Sequence, residues 1–447
     1  MNTPICDFAR QYAESGALRL HMPGHKGHGP LGVEQLDLTE IQGADSLYEA
    51  EGIIAQSEEN ASTLFDCPTY YSTEGSSQCI RAMLHLAALQ AKIAGKKPLI
   101  AAARNVHKTF LSAVSLLDLE VLWLYPREDS SYLSCPVEAE QLEEFLQEAS
   151  QKPTALYITS PDYLGAVADI AGLAAVCHRH GVLLLVDNAH GAYLKFLPRP
   201  AHPIELGADL CCDSAHKTLP VLTGGAYLHL SPELENQVAQ QAKNALALFG
   251  STSPSYLILQ SLDAANLYLE RYPEKLQSFI PLVEKLKQNL ICKGFSLYGD
   301  EPLKLCLQTK PYGYYGQEMA EFLQQKNIIC EFADPDHLVL MLTPEIGESG
   351  LQQLEEALLS LPEKAAICEP APRFRPGEAK LSIREAMLSP AETLPVEQCV
   401  GRILASPSVG CPPAVPILVC GECIDRHAVE CFRYYGIDRC SVICQKK

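Results

Sequence analysis

A carboxylate follows an apolar run at a place where a strand of a parallel sheet would end. Residues 182–186 are apolar without alternation, which predicts a strand buried on both faces, and Asp187 comes directly after them. In parallel α/β sheets ligands bind beyond the carboxyl ends of the strands. Asp187 could therefore face a ligand and stay ionised beside a cation such as a protonated pyridine nitrogen. Taken alone, it could equally cap a helix or bind a metal ion.

A lysine stands at a similar place, in Ser214-Ala-His-Lys217 after the predicted strand 208–212. Lysines normally lie in water. Burial lowers the pKa of a lysine and gives a neutral, nucleophilic amine, which Schiff-base chemistry requires. Ser214 and His216 could hydrogen-bond a phosphate. The alternative is an ordinary loop lysine.

Two further polar segments precede these. Ser72-Thr-Glu-Gly-Ser-Ser77 comes before a predicted helix at 78–94. Small residues there could present backbone N–H groups to an anion, or could merely cap the helix. His107, after the predicted strand 98–102, could stack on a flat ring or simply fill its loop. The order of these four features along the chain, anion loop, histidine, acid and lysine, is a more specific signal of a binding site than any one of them alone. No G-x-G-x-x-G follows the first predicted strand, which disfavours a dinucleotide.

The elements that must position these residues alternate between strands and helices. Further strands are predicted at 121–124, 155–159 and 226–230, and helices at 109–117, 137–150 and 170–180. This rhythm indicates a mostly parallel sheet covered by helices. The first sixty residues predict an extended arm with short helices. The chain becomes helical from about 231 to 290 and then forms a smaller α/β region, and a Pro-rich linker at 370–376 precedes a small terminal domain.

Composition narrows the classes of partner and compartment. The 447 residues carry a net charge of −19, which argues against a nucleic-acid or anionic-membrane partner. An acidic surface would mildly favour a cationic substrate, although solubility alone explains it. We find no membrane-spanning run and no secretory signal, and the 18 cysteines are scattered, so we expect reduced thiols in the cytoplasm. Cys420-Gly-Glu-Cys423 has zinc-ligand spacing but no conventional second pair, so we expect no metal.

Together these segments resemble the ornithine/lysine/arginine decarboxylase family of pyridoxal-phosphate (PLP) enzymes of fold type I, in its short form. The resemblance covers nearly the whole chain. The matching stretches are His21-Met-Pro-Gly-His-Lys-Gly27, Asp37-Leu-Thr-Glu40, Arg104-Asn-Val-His-Lys108, Val186-Asp-Asn-Ala-His-Gly191, Ser214-Ala-His-Lys-Thr-Leu-Pro-Val-Leu-Thr223, Cys411-Pro-Pro-Ala-Val-Pro416 and Gly421-Glu422.

The resemblance implies a role for each candidate residue. Lys217 would hold PLP as a Schiff base, Asp187 would pair with the pyridinium and His107 would stack on the ring. His190 would lie near the oxygen side of the ring. The phosphate would be bound by Gly75, Ser76, Ser77, Ser214 and His216. The chain departs from the family pattern at Glu74, where Asn is usual, at Gly224, where a polar residue is common, and at Cys420, where Pro is usual.

The resemblance also implies an architecture and a reaction. We expect an aspartate-aminotransferase-like α/β fold with an arm at 1–60, a large PLP-binding domain at 61–275, a small α/β domain at 276–369 and a terminal decarboxylase-type domain at 370–447. The expected reaction is decarboxylation of arginine, lysine or ornithine to an amine, in polyamine metabolism. The alternatives are another fold-type-I activity, such as an aminotransferase or lyase, or a PLP-binding protein with little catalysis. We expect a homodimer or higher homo-oligomer. The segment around Met22 to Lys26 would close the substrate site, in its own subunit or in the partner; the alternative is a Gly/Pro loop that merely covers the sheet.

Overall fold

The computed structural model describes residues 1–126, 131–199, 201–407 and 414–445. The helices are α1 (Pro4–Glu14), α2 (Ile53–Phe65), α3 (Ser76–Ile93), α4 (Lys108–Leu117), α5 (Ala139–Glu148), α6 (Ile170–His180), α7 (Ala215–Thr218), α8 (Asn236–Ala239), α9 (Ala242–Ala247), α10 (Tyr256–Leu269), α11 (Tyr272–Lys293), α12 (Gly316–Gln324), α13 (Gly347–Leu359), α14 (Ile383–Met387) and α15 (Arg426–Tyr434). Within the described ranges, no helix is both long and apolar enough to cross a membrane.

The strands alternate with the helices through the first half of the chain, as the sequence predicted. They are β1 (Thr69–Ser72), β2 (Leu99–Ala103), β3 (Glu120–Leu124), β4 (Ala155–Thr159), β5 (Leu183–Asp187), β6 (Leu210–Asp213), β7 (Ala226–Leu230), β8 (Ser296–Tyr298), β9 (Lys304–Gln308), β10 (Phe332–Ala333), β11 (His337–Met341), β12 (Glu378–Ala379), β13 (Ala391–Pro395), β14 (Glu422–Cys423) and β15 (Arg439–Ile443).

The main sheet has seven strands in the order β1-β7-β6-β5-β4-β2-β3. β5 is parallel to β6, and β2 is parallel to β3. β7 is antiparallel to both of its neighbours, β1 and β6, so β1 and β6 run in the same direction. The mostly parallel α/β sheet predicted from the sequence is confirmed. Because β1, β5 and β6 are parallel, their carboxyl ends meet at one edge of the sheet.

The chain forms two compact units. The first comprises Met1–Pro98, Thr154–Leu156 and Ile170–Gln277, and the second comprises Leu99–Pro153, Tyr157–Asp169 and Ser278–Lys447. The first unit contains β1, β5, β6 and β7 with the helices around them. The second contains β2 and β3, a four-stranded sheet in the order β10-β11-β9-β8, and two two-stranded sheets, β12-β14 and β13-β15. The four-domain division expected from the sequence stays a prediction.

The N-terminal sixty residues begin with a helix, α1, that is packed into the core. Ile5 and Ala9 of α1 are fully buried, and the N–H groups of Ile5 and Cys6 each donate to Asp263 Oδ2 at 3.0 Å. After α1 the chain is irregular as far as α2 and holds only a short 3-10 turn at Glu34–Leu36. The arm expected at 1–60 stays a prediction; below, the arm means the irregular segment after α1, since α1 itself belongs to the core.

Candidate active site

The candidate anion loop lies between β1 and α3 in the first unit. Gly75 is the N-cap of the 18-residue helix α3 and has φ +72°, a conformation that favours glycine. The Gly75 N–H donates to the Gly224 carbonyl oxygen at 2.7 Å. Ser76 and Ser77 form the first turn of α3, where the helix dipole attracts an anion. The predicted helix thus begins two residues earlier than expected and includes both serines.

A second segment meets this loop from the end of β6. Ser214 is buried and its hydroxyl donates to Ser76 Oγ at 2.8 Å. Because the two hydroxyls touch, the β1–α3 and β6–α7 connections present small polar groups to the same space. This cradle of a helix N-terminus and two hydroxyls fits a phosphate group.

Lys217 lies in α7, the single helical turn that follows β6. Its Nζ is 3.0 Å from Nε2 of His190, which is 5% exposed. Lys217 itself is half-buried, and its N–H donates to the Ser214 carbonyl oxygen at 3.0 Å. The amine therefore has a buried imidazole nitrogen within hydrogen-bond distance. A partly buried lysine at the end of a strand is well placed to form a Schiff base.

Asp187 is the last residue of β5 and is 2% exposed. Its Oδ1 accepts the N–H of Ala189 at 3.2 Å and the thiol of Cys212 at 3.7 Å. Burial raises the pKa of Cys212 well above its ordinary value, so this thiol is a neutral donor. An almost fully buried carboxylate is well suited to a cationic partner, and a protonated ring nitrogen would be one.

His216 and His107 lie in the expected loops, but both rings already have local partners. His216 Nδ1 is 2.9 Å from the Gly225 carbonyl oxygen, and burial lowers the pKa of His216. A neutral ring that donates from Nδ1 leaves only an acceptor at Nε2, which suits a phosphate poorly. His107 belongs to the second unit and is the N-cap of α4, where its Nδ1 accepts the N–H of Thr109 at 3.2 Å. Phosphate binding by His216 and ring stacking by His107 stay predictions.

The loop that carries His107 is fixed inside the second unit. The Arg104 guanidinium, 2% exposed, donates to the carbonyl oxygens of Pro416 and Ile417 at 3.0 and 3.1 Å, and one of its nitrogens lies 3.4 Å from Glu422 Oε2. These contacts join three of the stretches on which the family resemblance rests, 104–108, 411–416 and 421–422. Residues 411–413, the start of the Pro-rich terminal stretch, lie outside the described residues.

Two departures from the family pattern have physical explanations. Glu74 is exposed, and its carboxylate accepts the backbone N–H of Ser251, so it is directed at that amide. Gly224 has φ +102°, and a Cβ added there would lie 2.9 Å from the Thr73 carbonyl oxygen. A polar side chain at this position would require the backbone of the anion loop to move.

The C-terminal cysteines do not assemble into a metal centre within the described residues. The groups there that could hold an ion are His202, Cys211 and Asp213, and a second one of Asp334, Asp336 and His337. Cys420 belongs to neither, and burial raises its pKa to about 12, which keeps it a protonated thiol.

The sequence analysis did not predict a buried network that adjoins Asp187 and Ser214 along the chain. Asp213, the last residue of β6, is fully buried. Its Oδ2 lies 3.2 Å from His202 Nε2 and 3.1 Å from His229 Nε2, and its Oδ1 accepts the Asn188 amide at 2.7 Å. The available signal was an acid at the end of an apolar run, the same signal that identified Asp187.

The sheet and the residues at its carboxyl edge define the α/β class of fold-type-I enzymes. A family model described as Orn/Lys/Arg decarboxylase, major domain, matches residues 3–297. The chain therefore belongs to the Orn/Lys/Arg decarboxylase family, and the resemblance inferred from the sequence is confirmed.

Individual relatives agree with this membership. The chain is 29% identical over 461 residues to the uncharacterized protein YaaO of Bacillus subtilis, covering 96% of this chain and 93% of that protein. It is 27% identical over 468 residues to an arginine decarboxylase of Bacillus anthracis, covering 96% and 92%. The crystal structure of the lysine decarboxylase LdcF of Francisella novicida superposes with a TM-score of 0.79 at 16% identity, covering 99% of this chain and 81% of that one. At that identity the structural likeness shows the fold alone.

Proposed function

We propose that this chain is a PLP-dependent decarboxylase that converts a basic amino acid to its amine. The observation that carries the proposal is the convergence of three strand ends in the first unit. Lys217 with His190, Asp187, and the paired hydroxyls of Ser76 and Ser214 all lie at the carboxyl edge of β1, β5 and β6. This set supplies a nucleophilic amine, a buried carboxylate and an anion cradle, which are the three contacts that PLP needs.

When bound, PLP supplies an electron sink that stabilises the carbanion left by loss of carbon dioxide. The residues of the chain would hold and tune it. Lys217 would attach the cofactor through its Nζ, which lies 3.0 Å from His190 Nε2. The Asp187 carboxylate would keep a proton on the ring nitrogen. Ser76, Ser77 and Ser214 would hold the phosphate at the start of α3.

We propose arginine, lysine or ornithine as substrate, with arginine to be tested first. The Bacillus anthracis relative is an arginine decarboxylase, and it matches this chain over nearly the full length of both proteins. The net charge of −19 is compatible with a cationic substrate. A role in polyamine metabolism belongs to the same proposal and depends on which amine is formed.

We also propose that the enzyme is a cytoplasmic homodimer whose arm closes the substrate site. All cysteines within the described residues are free thiols, as a reducing compartment favours. The segment after α1 exposes large apolar side chains, including Leu18 at 83%, Leu20 at 82% and Met22 at 67%. Apolar groups that are this exposed in a single chain are suited to contact a second copy.

The test is a product assay with PLP and each of the three amino acids in turn. Release of carbon dioxide with the matching amine supports decarboxylation. Transfer of the amino group to a keto acid would instead indicate an aminotransferase. PLP binding without turnover of any of the three amino acids would indicate a cofactor-binding protein with little catalysis.

A further inference from the structure

Asp213 is a fully buried carboxylate for which the proposed chemistry has no direct use. It stands one residue before Ser214 and is paired in register with Tyr227 of β7. A buried carboxylate is tolerated only when its oxygens are hydrogen-bonded. Here imidazole nitrogens of His202 and His229, both fully buried, lie on Oδ2, while the Asn188 amide donates to Oδ1.

This environment keeps Asp213 ionised. Burial would raise its pKa, but the hydrogen bonds and charge interactions with His202 and His229 outweigh burial and hold the pKa of Asp213 well below its ordinary value. Burial lowers the pKa of His229, whereas the charge and hydrogen bond of Asp213 act in the opposite direction, and the ring donates from Nε2 to Asp213. Asp213 is therefore a fixed acceptor whose position is set from two sides.

Asn188 connects Asp213 to the end of the neighbouring strand, β5. Its side chain donates to Asp213 Oδ1 at 2.7 Å, and its backbone N–H donates to the Cys212 carbonyl oxygen at 3.0 Å. Its carbonyl oxygen accepts the Gly191 N–H at 2.8 Å. Asn188 is thus held at three points, inside the turn that begins at Asp187 and contains His190.

We propose that Asp213 is a positioning residue that fixes the cofactor-binding ends of β5 and β6 relative to each other. It acts through Asn188 on the turn that bears Asp187 and His190, and through the adjacent Ser214 on the segment that bears Lys217. This inference rests on the proposed function, because the geometry that Asp213 maintains is the one proposed to bind PLP.

The test compares the hydrogen bond that joins β5 to β6 at their carboxyl ends with one that joins the two strands near their amino ends. Asn188→Ala removes the link and leaves Asp213 with both histidines. Asp213→Asn keeps the volume and removes the charge. The matched control is Asp209→Asn, because Asp209 also joins β5 to β6. Its Oδ2 accepts the Leu184 N–H at 2.7 Å, and its own N–H donates to the Leu184 carbonyl oxygen at 2.9 Å.

The measurements are the PLP dissociation constant, from absorbance titration of PLP-free protein, and the absorption maximum of the bound cofactor. We expect Asn188→Ala and Asp213→Asn to weaken PLP binding about tenfold or more, the loss expected for a hydrogen bond to a charged group, and to shift the absorption maximum. Asp209→Asn should lower the melting temperature. Its PLP dissociation constant should stay within about twofold of wild type, because the substitution leaves the carboxyl edge of the sheet intact.

The outcomes separate this inference from the proposed function. If wild type binds PLP and both Asn188→Ala and Asp213→Asn, folded by circular dichroism, keep its dissociation constant and spectrum, the positioning role is overturned and the proposed function stands. If wild type binds no PLP, the proposed function falls and this inference falls with it. Equal weakening in Asp209→Asn would also overturn the positioning role, because any loss of stability would then explain the effect.

Discussion

Gly224 offers the sharpest test of how the anion loop is built. Its φ of +102° lies outside the region that L side chains adopt readily, and an added Cβ would meet the Thr73 carbonyl oxygen at 2.9 Å. Backbone strain of this kind costs about 1–3 kcal/mol. The contact with Thr73 cannot be relieved by a side-chain rotation, because the atom it meets belongs to the backbone. We therefore expect Gly224→Ala to lower the free energy of unfolding by about 2–4 kcal/mol.

The same substitution should weaken cofactor binding. The Gly224 carbonyl oxygen accepts the N–H of Gly75, the N-cap of α3, at 2.7 Å. If the Gly224 backbone moves to relieve the contact with Thr73, the start of α3 moves with it. We expect the PLP dissociation constant to rise about tenfold or more, in line with loss of well-placed hydrogen bonds to a charged group.

Gly181→Ala is the matched control. Gly181 also has positive φ, +66°, but an added Cβ would meet nothing within 4 Å, and it lies in the same unit. Gly181→Ala should lower the free energy of unfolding by about 1–2 kcal/mol, because only the left-handed backbone conformation is unfavourable for alanine there. The assays are urea denaturation and absorbance titration with PLP. If Gly224→Ala matches Gly181→Ala in stability and binds PLP like wild type, the close approach of Gly224 to the anion loop has no energetic consequence and the reasoning fails.

Three further predictions follow from the site and the arm. Lys217→Ala should abolish PLP trapped by borohydride, and peptide mass mapping of trapped cofactor to another lysine would contradict the assignment. Asp187→Asn should leave PLP bound but cut turnover by orders of magnitude, because the ring nitrogen loses its ionic partner; a steady-state rate near that of wild type would indicate a merely structural acid. Replacing the exposed Leu20 and Met22 by Ser should leave the melting temperature unchanged but reduce turnover and, by light scattering, dimerisation. Unchanged rate and mass would remove the arm from the site.

The structure changes how the arm must be tested. Deletion of everything before Leu31 would have been a natural experiment for an irregular extension. That deletion would remove α1, whose Ile5 and Ala9 are fully buried and whose first turn donates two N–H groups to Asp263. Loss of activity in the truncated chain would then report a damaged core. Substitution of exposed side chains after α1 avoids this ambiguity.

The sequence by itself determined the local elements and the residues that end them. The bounds of β4, α6 and β7 are those predicted from apolar runs and helical spacing. Asp187 and Lys217 could be identified because each follows a buried run, and burial of a strand is visible in the composition of a few consecutive residues. β1 was not predicted: its four residues include the strand formers Thr69, Tyr70 and Tyr71, but so short a run shows no clear periodicity until it pairs with β7.

Only the tertiary structure decided which of these residues meet. Asp213 collects His202, His229 and Asn188, and Gly224 approaches Gly75, although no spacing in the sequence joins the members of either set. Strand order and register bring them together, and these depend on pairing between distant segments that local propensity does not encode. Propensity and burial therefore specify the ends of the strands, while the pairing of the sheet specifies the site that those ends form.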